Sequence, residues 1–355
     1  MDRILNNRPF WLILVGLIVG GVVELPAQAT MPAPQASQKG AVSQAVGISD
    51  VSVSYHRPGV KGRAIWGSLV NYGQVWRAGA NENTTVSFSD PVKIEGKDIP
   101  AGTYGLHMIP TQGDWTVIFS RNFTSWGTYF YKESEDALRV TVKPQPAEFQ
   151  EWLSYEFGDL TNSSAVLSLH WEKLRVPIRL QFDTDAIVLG HARDVYLRGA
   201  AGFTWQGFNQ AASYCLRRGV NLDEALSWID RSIDINENFT NLTVKAGLLE
   251  KMGKADEAKK VRGTAESLAT SEQEVNALGY QYLASNNFKE AIDIFRKNVK
   301  NHPNSWNVYD SIAEAHLKAG DTKRALENFQ KALTLVKDEE NKSRIEGEIQ
   351  KLLKK

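Results

Sequence analysis

The sequence predicts a multidomain β + α chain, an antiparallel β-sandwich followed by an α-solenoid of stacked helix pairs, and three observations predict it. Between Ala41 and Phe182 apolar residues recur at every second position, in short runs broken by Gly, Pro, Asn and Asp. Beyond Asp183 the recurrence lengthens to every third or fourth residue, and Ala, Leu, Glu and Lys replace the β-branched runs. That second stretch also repeats itself, at a shift of 34 residues. With 355 residues, 42% hydrophobic and 23% charged, the chain is long enough for two cores and globular in composition.

At the N-terminus, Arg3 and Arg8 precede an apolar run from Phe10 to Val23, and Ala27-Gln28-Ala29 supplies small residues at a cleavage position. The run, about 14 residues, is shorter than the ~20 that span hydrocarbon, so residues 1–29 read as a cleaved signal peptide. Residues 30–40, TMPAPQASQKG, hold nothing periodic to bury and read as a flexible linker. Removing Arg3, Arg8, Asp2 and Glu24 from 41 charges of each sign leaves 39 of each, so the exported product stays neutral. No net field gathers nucleic acid, and no membrane association is expected after cleavage. Cys215 is the only cysteine, so no internal disulfide forms, and its spacing from Phe208 and Ala211 puts it on a buried helix face.

Within residues 41–182, the predicted β-sandwich, Val51, Val53 and Tyr55 point one way while Ser52, Ser54 and His56 point the other. The same alternation runs through Tyr104-Leu106-Met108, Leu138-Val140-Val142 and Leu167-Leu169-Trp171. Glu95-Gly96-Lys97 reads as a hairpin turn, and Asn162-Ser163 breaks two further strands. Roughly nine strands with little helix between them favour an antiparallel sandwich, jelly-roll or immunoglobulin-like, with the strand order open.

Residues 183–195 read as an interdomain linker and residues 196–355 as helical repeats. The shift of 34 aligns Val275 with Tyr309, Leu278 with Ile312, Gly279 with Ala313, Ala291 with Ala325 and Phe295 with Phe329. Pro303 closes one unit before Ser305 caps the next helix. These positions resemble the tetratricopeptide repeat, whose small residues let paired helices approach and whose large ones fill the space between units. Ala225 with Ile229, and Ala258, mark two weaker units upstream. Arg262 stands where Phe295 stands, which predicts an irregular pair. Ile345, Ile349 and Leu352 line one face of a last, capping helix.

The β segment carries Tyr55-His56-Arg57-Pro58-Gly59-Val60-Lys61-Gly62-Arg63, then Val75-Trp76-Arg77-Ala78-Gly79-Ala80-Asn81-Glu82-Asn83-Thr84-Thr85, then Ala101-Gly102-Thr103-Tyr104-Gly105-Leu106 and Trp115-Thr116-Val117-Ile118-Phe119. In this order the blocks resemble the bacterial domain-of-unknown-function family numbered 2911, over about residues 37 to 182. The resemblance implies an exported, periplasmic protein and brings no established activity.

Three groups of polar residues are candidate sites. Arg57, Lys61 and Arg63, with two glycines, have the composition to surround an anion; the plainer account turns the chain at Pro58-Gly59 and pairs the cations with carboxylates such as Glu82. Trp76, Arg77, Asn81 and Glu82 lie close enough to converge on a ligand, against a core Trp76 and an Arg77–Glu82 ion pair. His56, His107 and His170 fall opposite the apolar set of three strands, which predicts solvent-facing imidazoles and no metal site. No catalytic motif of the common hydrolases or dehydrogenases is present and no cofactor is implied. The expected function is therefore non-catalytic: a protein or peptide partner on the concave face of the repeats, and a small polar or anionic ligand or second partner on the β domain. The alternatives are a cell-envelope hydrolase, using His56, Glu82 and His107 with Arg77 in one cleft, and a structural scaffold.

Overall fold

The computed structural model describes residues 33–354. The predicted signal peptide and the first residues of the predicted linker lie outside them. Two antiparallel sheets face each other. The larger has the order β1 (Gln38–Val46), β2 (Ser49–Arg57), β3 (Thr85–Phe88), β6 (Gly102–Ile109), β7 (Trp115–Ser120) and β8 (Asp136–Val142). The smaller runs β5 (Lys97–Ile99), β4 (Val92–Ile94), β10 (Ser164–Gln181) and β9 (Gln145–Gly158). Consecutive strands pair within each sheet, and the chain changes sheets at the β4–β5 hairpin, which leaves the large sheet for the small one, and again between β8 and β9.

The alternation read from the sequence builds this core. Val51, Val53 and Tyr55 of β2, Leu106 and Met108 of β6, and Val117 and Phe119 of β7 pack inward. They meet Leu167, Leu169 and Trp171 of β10 coming from the opposite sheet. At the β4–β5 turn Glu95 and Gly96 both have positive φ, 48° and 80°, the mirror-image geometry whose twist matches that of the flanking strands. The predicted linker ends early: Gln38, Lys39 and Gly40 pair with Arg57, His56 and Tyr55, so this polar stretch is an edge strand.

Residues 183–195, expected to be a linker, begin with the helix α1 (Thr184–His191), capped by the Asp183 side chain, which accepts from the Ala186 amide at 3.1 Å. Ile187 of this helix packs on the β core and Leu189 belongs to the first helical core.

Four helix pairs follow: α2 (Trp205–Arg218) with α3 (Leu222–Ile235), α4 (Phe239–Lys251) with α5 (Ala255–Leu268), α6 (Glu272–Ala284) with α7 (Phe288–Asn301), and α8 (Trp306–Lys318) with α9 (Thr322–Leu335). The helix α10 (Glu339–Leu353) closes the stack through buried Ile345, Ile349 and Leu352. The aligned positions are interior: Ala225, Ile229, Ala258, Ala291, Phe295, Ala325 and Phe329 are all buried. Arg262, in the place of Phe295, instead reaches the Glu250 carboxylate at the surface. Ser305 occupies the cap position of α8, but its hydroxyl donates to Glu272 of the preceding pair at 2.8 Å and makes no cap bond. Cys215 is fully buried as expected, its thiol pushed up to about 11 by burial and then by the Glu224 carboxylate.

At Gly279 an added Cβ would sit 2.5 Å from the Phe295 ring, so α6 and α7 touch where only hydrogen fits. Gly279→Val should lower stability by about 2 kcal/mol through overpacking. Gly347→Ala, whose methyl meets open space in α10, should raise it by up to about 1 kcal/mol through helix propensity. Urea unfolding followed by circular dichroism measures both; equal midpoints would contradict this packing.

Candidate functional site

The segment joining β2 to β3 crosses one end of the sandwich, and its sequence explains its course. Ala78 takes a positive φ of 49° in a fully buried position, and its carbonyl accepts from Thr84 Oγ1 at 3.1 Å and from the Tyr155 hydroxyl at 2.8 Å. Gly79 must be glycine, because a Cβ there would lie 2.5 Å from Thr84 Oγ1. These fixed points leave Asn81 half-buried and Glu82 facing solvent, with Asn83 turned inward. Asn81 donates to Gln35 Oε1 and to the Ser37 carbonyl, both at 3.1 Å, drawing the incoming chain across the same end.

A cavity of about 440 Å³ opens beside this segment, bounded by Lys39, His56, Glu82, Asn83, Thr85 and Phe123. His56 is buried, not solvent-facing as its alternation predicts. Burial holds its imidazole below the usual histidine range, the Glu82 carboxylate offsetting part of that effect. As a neutral ring it meets Glu82 through Nε2 to Oε2 at 3.2 Å. Asn83 is 7% exposed; its amide NH2 donates to the Asn122 carbonyl at 3.4 Å, and its Oδ1 has no partner among the described residues.

The second face of the large sheet is covered by residues 121–131. Asn122 bonds to Ser120 and Glu135, and Tyr131 donates to Asp136 at 2.8 Å while accepting from Arg139 at 2.6 Å. His107 lies beneath this cover at 1% exposure, its ring 5.4 Å from that of Tyr131, so it too departs from the expected solvent-facing position. Burial lowers its basicity, the nearby Gly105 and Gly127 backbone offsetting part of that effect without a well-formed hydrogen bond to either ring nitrogen among the described residues. His170 is the most accessible of the three and lies against the Glu148 carbonyl at 2.9 Å.

The other candidates are spread apart. Arg77 does not pair with Glu82; its guanidinium turns to the Asn81 carbonyl and packs against Gly127. Trp76 stacks on Trp171 at 5.9 Å and belongs to the core. Pro58 and Gly59 make no turn, because Gly59 bridges Trp152 of β9 and extends the strand; the chain reverses at Lys61-Gly62, both with positive φ. Arg57 donates to the Leu153 carbonyl at 2.9 Å and Arg63 to the Gly59 carbonyl at 2.6 Å, while Lys61 Nζ lies 5.6 Å from the centre of the Trp152 ring. None of these cations reaches Glu82, whose partner is His56. Neither His107 nor Arg77 borders the cavity, so His56 and Glu82 alone of the four proposed hydrolase residues meet there. Lys39, Asn83, Thr85 and Phe123 are not marked as site residues by the sequence; Asn83 and Thr85 lie in the block 75–85 that carries the family resemblance, and Lys39 and Phe123 carry no signal.

The repeats offer a second constellation. Asn209, Asn276 and Asp310 are the fifth residues of α2, α6 and α8, and each has one side-chain oxygen buried and unpartnered among the described residues. Thr243 holds the same place in α4. One turn further along, Tyr280 donates to Glu314 at 2.9 Å, continuing a polar stripe on these first helices.

Residues 37–180 match the family described as Protein of unknown function (DUF2911), and residues 308–343 match the Tetratricopeptide repeat family. No curated protein matches the chain. Similar solved structures include pilF of Pseudomonas aeruginosa, 19% identical, covering 42% of this chain and 67% of that one with a TM-score of 0.32. YrrB, described as a TPR protein with an unusual peptide-binding site, is 15% identical over 46% of this chain and 86% of that one, TM-score 0.32. MamA of Desulfovibrio magneticus RS-1 is 17% identical over 42% and 93%, TM-score 0.30.

His56, His107 and His316 are all held neutral by burial. Unfolded, they titrate near an ordinary pKa of about 6.5, so below that pH the unfolded chain takes up protons first. Their contribution is therefore complete above about pH 6.5 and lost on acidification. The urea midpoint should fall between pH 7.5 and pH 5.5, and His107→Phe should narrow the fall; a midpoint that ignores pH across this window would refute the assignment.

Proposed function

We propose that this chain is an exported, non-catalytic binding protein whose repeats hold an extended segment of a protein partner and whose β domain takes a small polar ligand in the His56–Glu82 cavity. The observation that carries the reading is the row formed by Asn209, Asn276 and Asp310. A buried acceptor left without a donor costs roughly 1–3 kcal/mol, and three at one place in the repeat are more than packing accidents explain. Backbone N–H groups of an extended peptide are the donors such a row suits, spaced along the stack as the repeats are. In the β domain, Asn83 Oδ1 is a like acceptor at the wall of a cavity of ligand size.

Export rests on Arg3, Arg8, the apolar run from Phe10 to Val23 and the small residues at 27–29. Intact-mass measurement of the chain recovered from a bacterial envelope should give a product beginning at Thr30; a product retaining residues 1–29 would count against export.

The partner reading is tested with peptides selected on the full chain from a phage-displayed library. Asn276→Leu and Asn209→Leu should leave the free chain as stable or slightly more so, and weaken a selected peptide about tenfold, equivalent to ~1.4 kcal/mol. Unchanged affinity in both variants, or a library that yields no binder, would refute it.

A further inference from the structure

The cavity beside Glu82 is built for a particular kind of polar molecule. Its charges are one lysine, Lys39, and one carboxylate, Glu82, the latter already engaged with His56. The remaining walls are hydroxyls and amides, Thr85 and Asn83 among them, which give and take hydrogen bonds in equal measure. An anion would meet the Glu82 carboxylate, and an apolar ligand would strip water from Glu82 and Asn83 without replacing it. A neutral molecule dense in hydroxyls satisfies all of these groups.

The fourth wall is aromatic. Phe123 borders the cavity, and the loop that carries it continues through Trp126, Tyr129 and Phe130, which are 51%, 81% and 64% exposed. Water-facing aromatic rings at this density on one short loop are unusual for a monomer surface. The loop is anchored at its start: Ser125 donates to Asn122 Oδ1 at 2.7 Å, Asn122 to Glu135 at 3.1 Å, and Gly127 packs on the Arg77 guanidinium. The rings are thus presented from a loop braced on both the cavity segment and the short turn that leads into β8. A sugar ring has the matching duality, hydroxyls around its rim and C–H groups on its faces that settle on the electron-rich face of an aromatic ring.

We propose that this site binds a carbohydrate chain, with a terminal sugar in the cavity hydrogen-bonded to Glu82, Asn83 and Lys39 against Phe123, and the following units stacked on Trp126 and Tyr129. The inference rests on the reading of the cavity as a ligand site and gives that ligand its class. The volume of about 440 Å³ falls within the ~300–1,000 Å³ usual for small-molecule sites, so further units must lie outside on the loop.

The full chain is applied to a printed array of neutral glycans, and any glycan bound is titrated by calorimetry. In parallel, a panel of neutral tripeptides, free amino acids and nucleotides is screened by thermal shift. Glu82→Gln and Trp126→Ala should each weaken glycan binding at least tenfold with the unfolding midpoint unchanged, Trp126 being exposed and dispensable to the core. Glycan binding indifferent to both variants overturns the proposal. If no glycan binds, but a panel member does and Glu82→Gln abolishes that binding, the carbohydrate class fails while the cavity keeps its role. If nothing in either set binds, both readings fail.

Discussion

The Ala78 carbonyl accepts one hydrogen bond from Thr84, leading into the large sheet, and one from Tyr155, in the small sheet. Ala78 and Thr84 are fully sealed from water and Tyr155 nearly so, and in that environment an unmet acceptor is expensive, so the geometry of the junction is strongly enforced. Everything that faces the cavity from this segment inherits its position from that point. The glycine next to it, the left-handed Asn81 beyond it and the exposed Glu82 are consequences of threading a chain through a space with no room for a further methyl group.

The helical half is fixed by a different rule, close approach between small and large side chains. Gly279 receives the Phe295 ring, Ala313 holds the equivalent place in the next pair, and Ala291 and Ala325 are the buried small residues of the second helices. Some polar residues enter this packing by bonding from one helix to another. Asn298 donates to the Glu272 carbonyl, and Arg344 of the terminal helix donates to buried Asp310. Burial raises the Asp310 pKa while Arg344 opposes the shift, so the last helix does more than cover apolar surface: it supplies the counter-charge of a carboxylate in the repeat before it.

Both architectures were legible because burial leaves a period in the chain, two for the strands and three to four for the helices. What the period could not carry was whether the outer face of a sheet is itself covered. His56 and His107 alternate as solvent-facing residues should, and both are buried, His107 beneath residues 121–131 and His56 against Glu82 of the segment between β2 and β3. A loop of that kind has no periodic signature. The same limit applies at Pro58-Gly59, where a local turn signal is overridden by pairing with Trp152 some ninety residues away, and at Gln38–Gly40, whose polar composition hides an edge strand. The cavity was half legible: His56 and Glu82 stood out, whereas Lys39 and Phe123 arrive from two separate stretches that only the fold brings together.

The helix α1 sets Ile187 in one hydrophobic core and Leu189 in the other, two residues apart. Swinging the repeats away from the sandwich would pull one of these side chains into water, at roughly 1.5–3 kcal/mol. The connection therefore behaves as a splint rather than a string. The sandwich and the first helix pair are held at a set separation and angle, a gauge whose length is written into eight residues of helix.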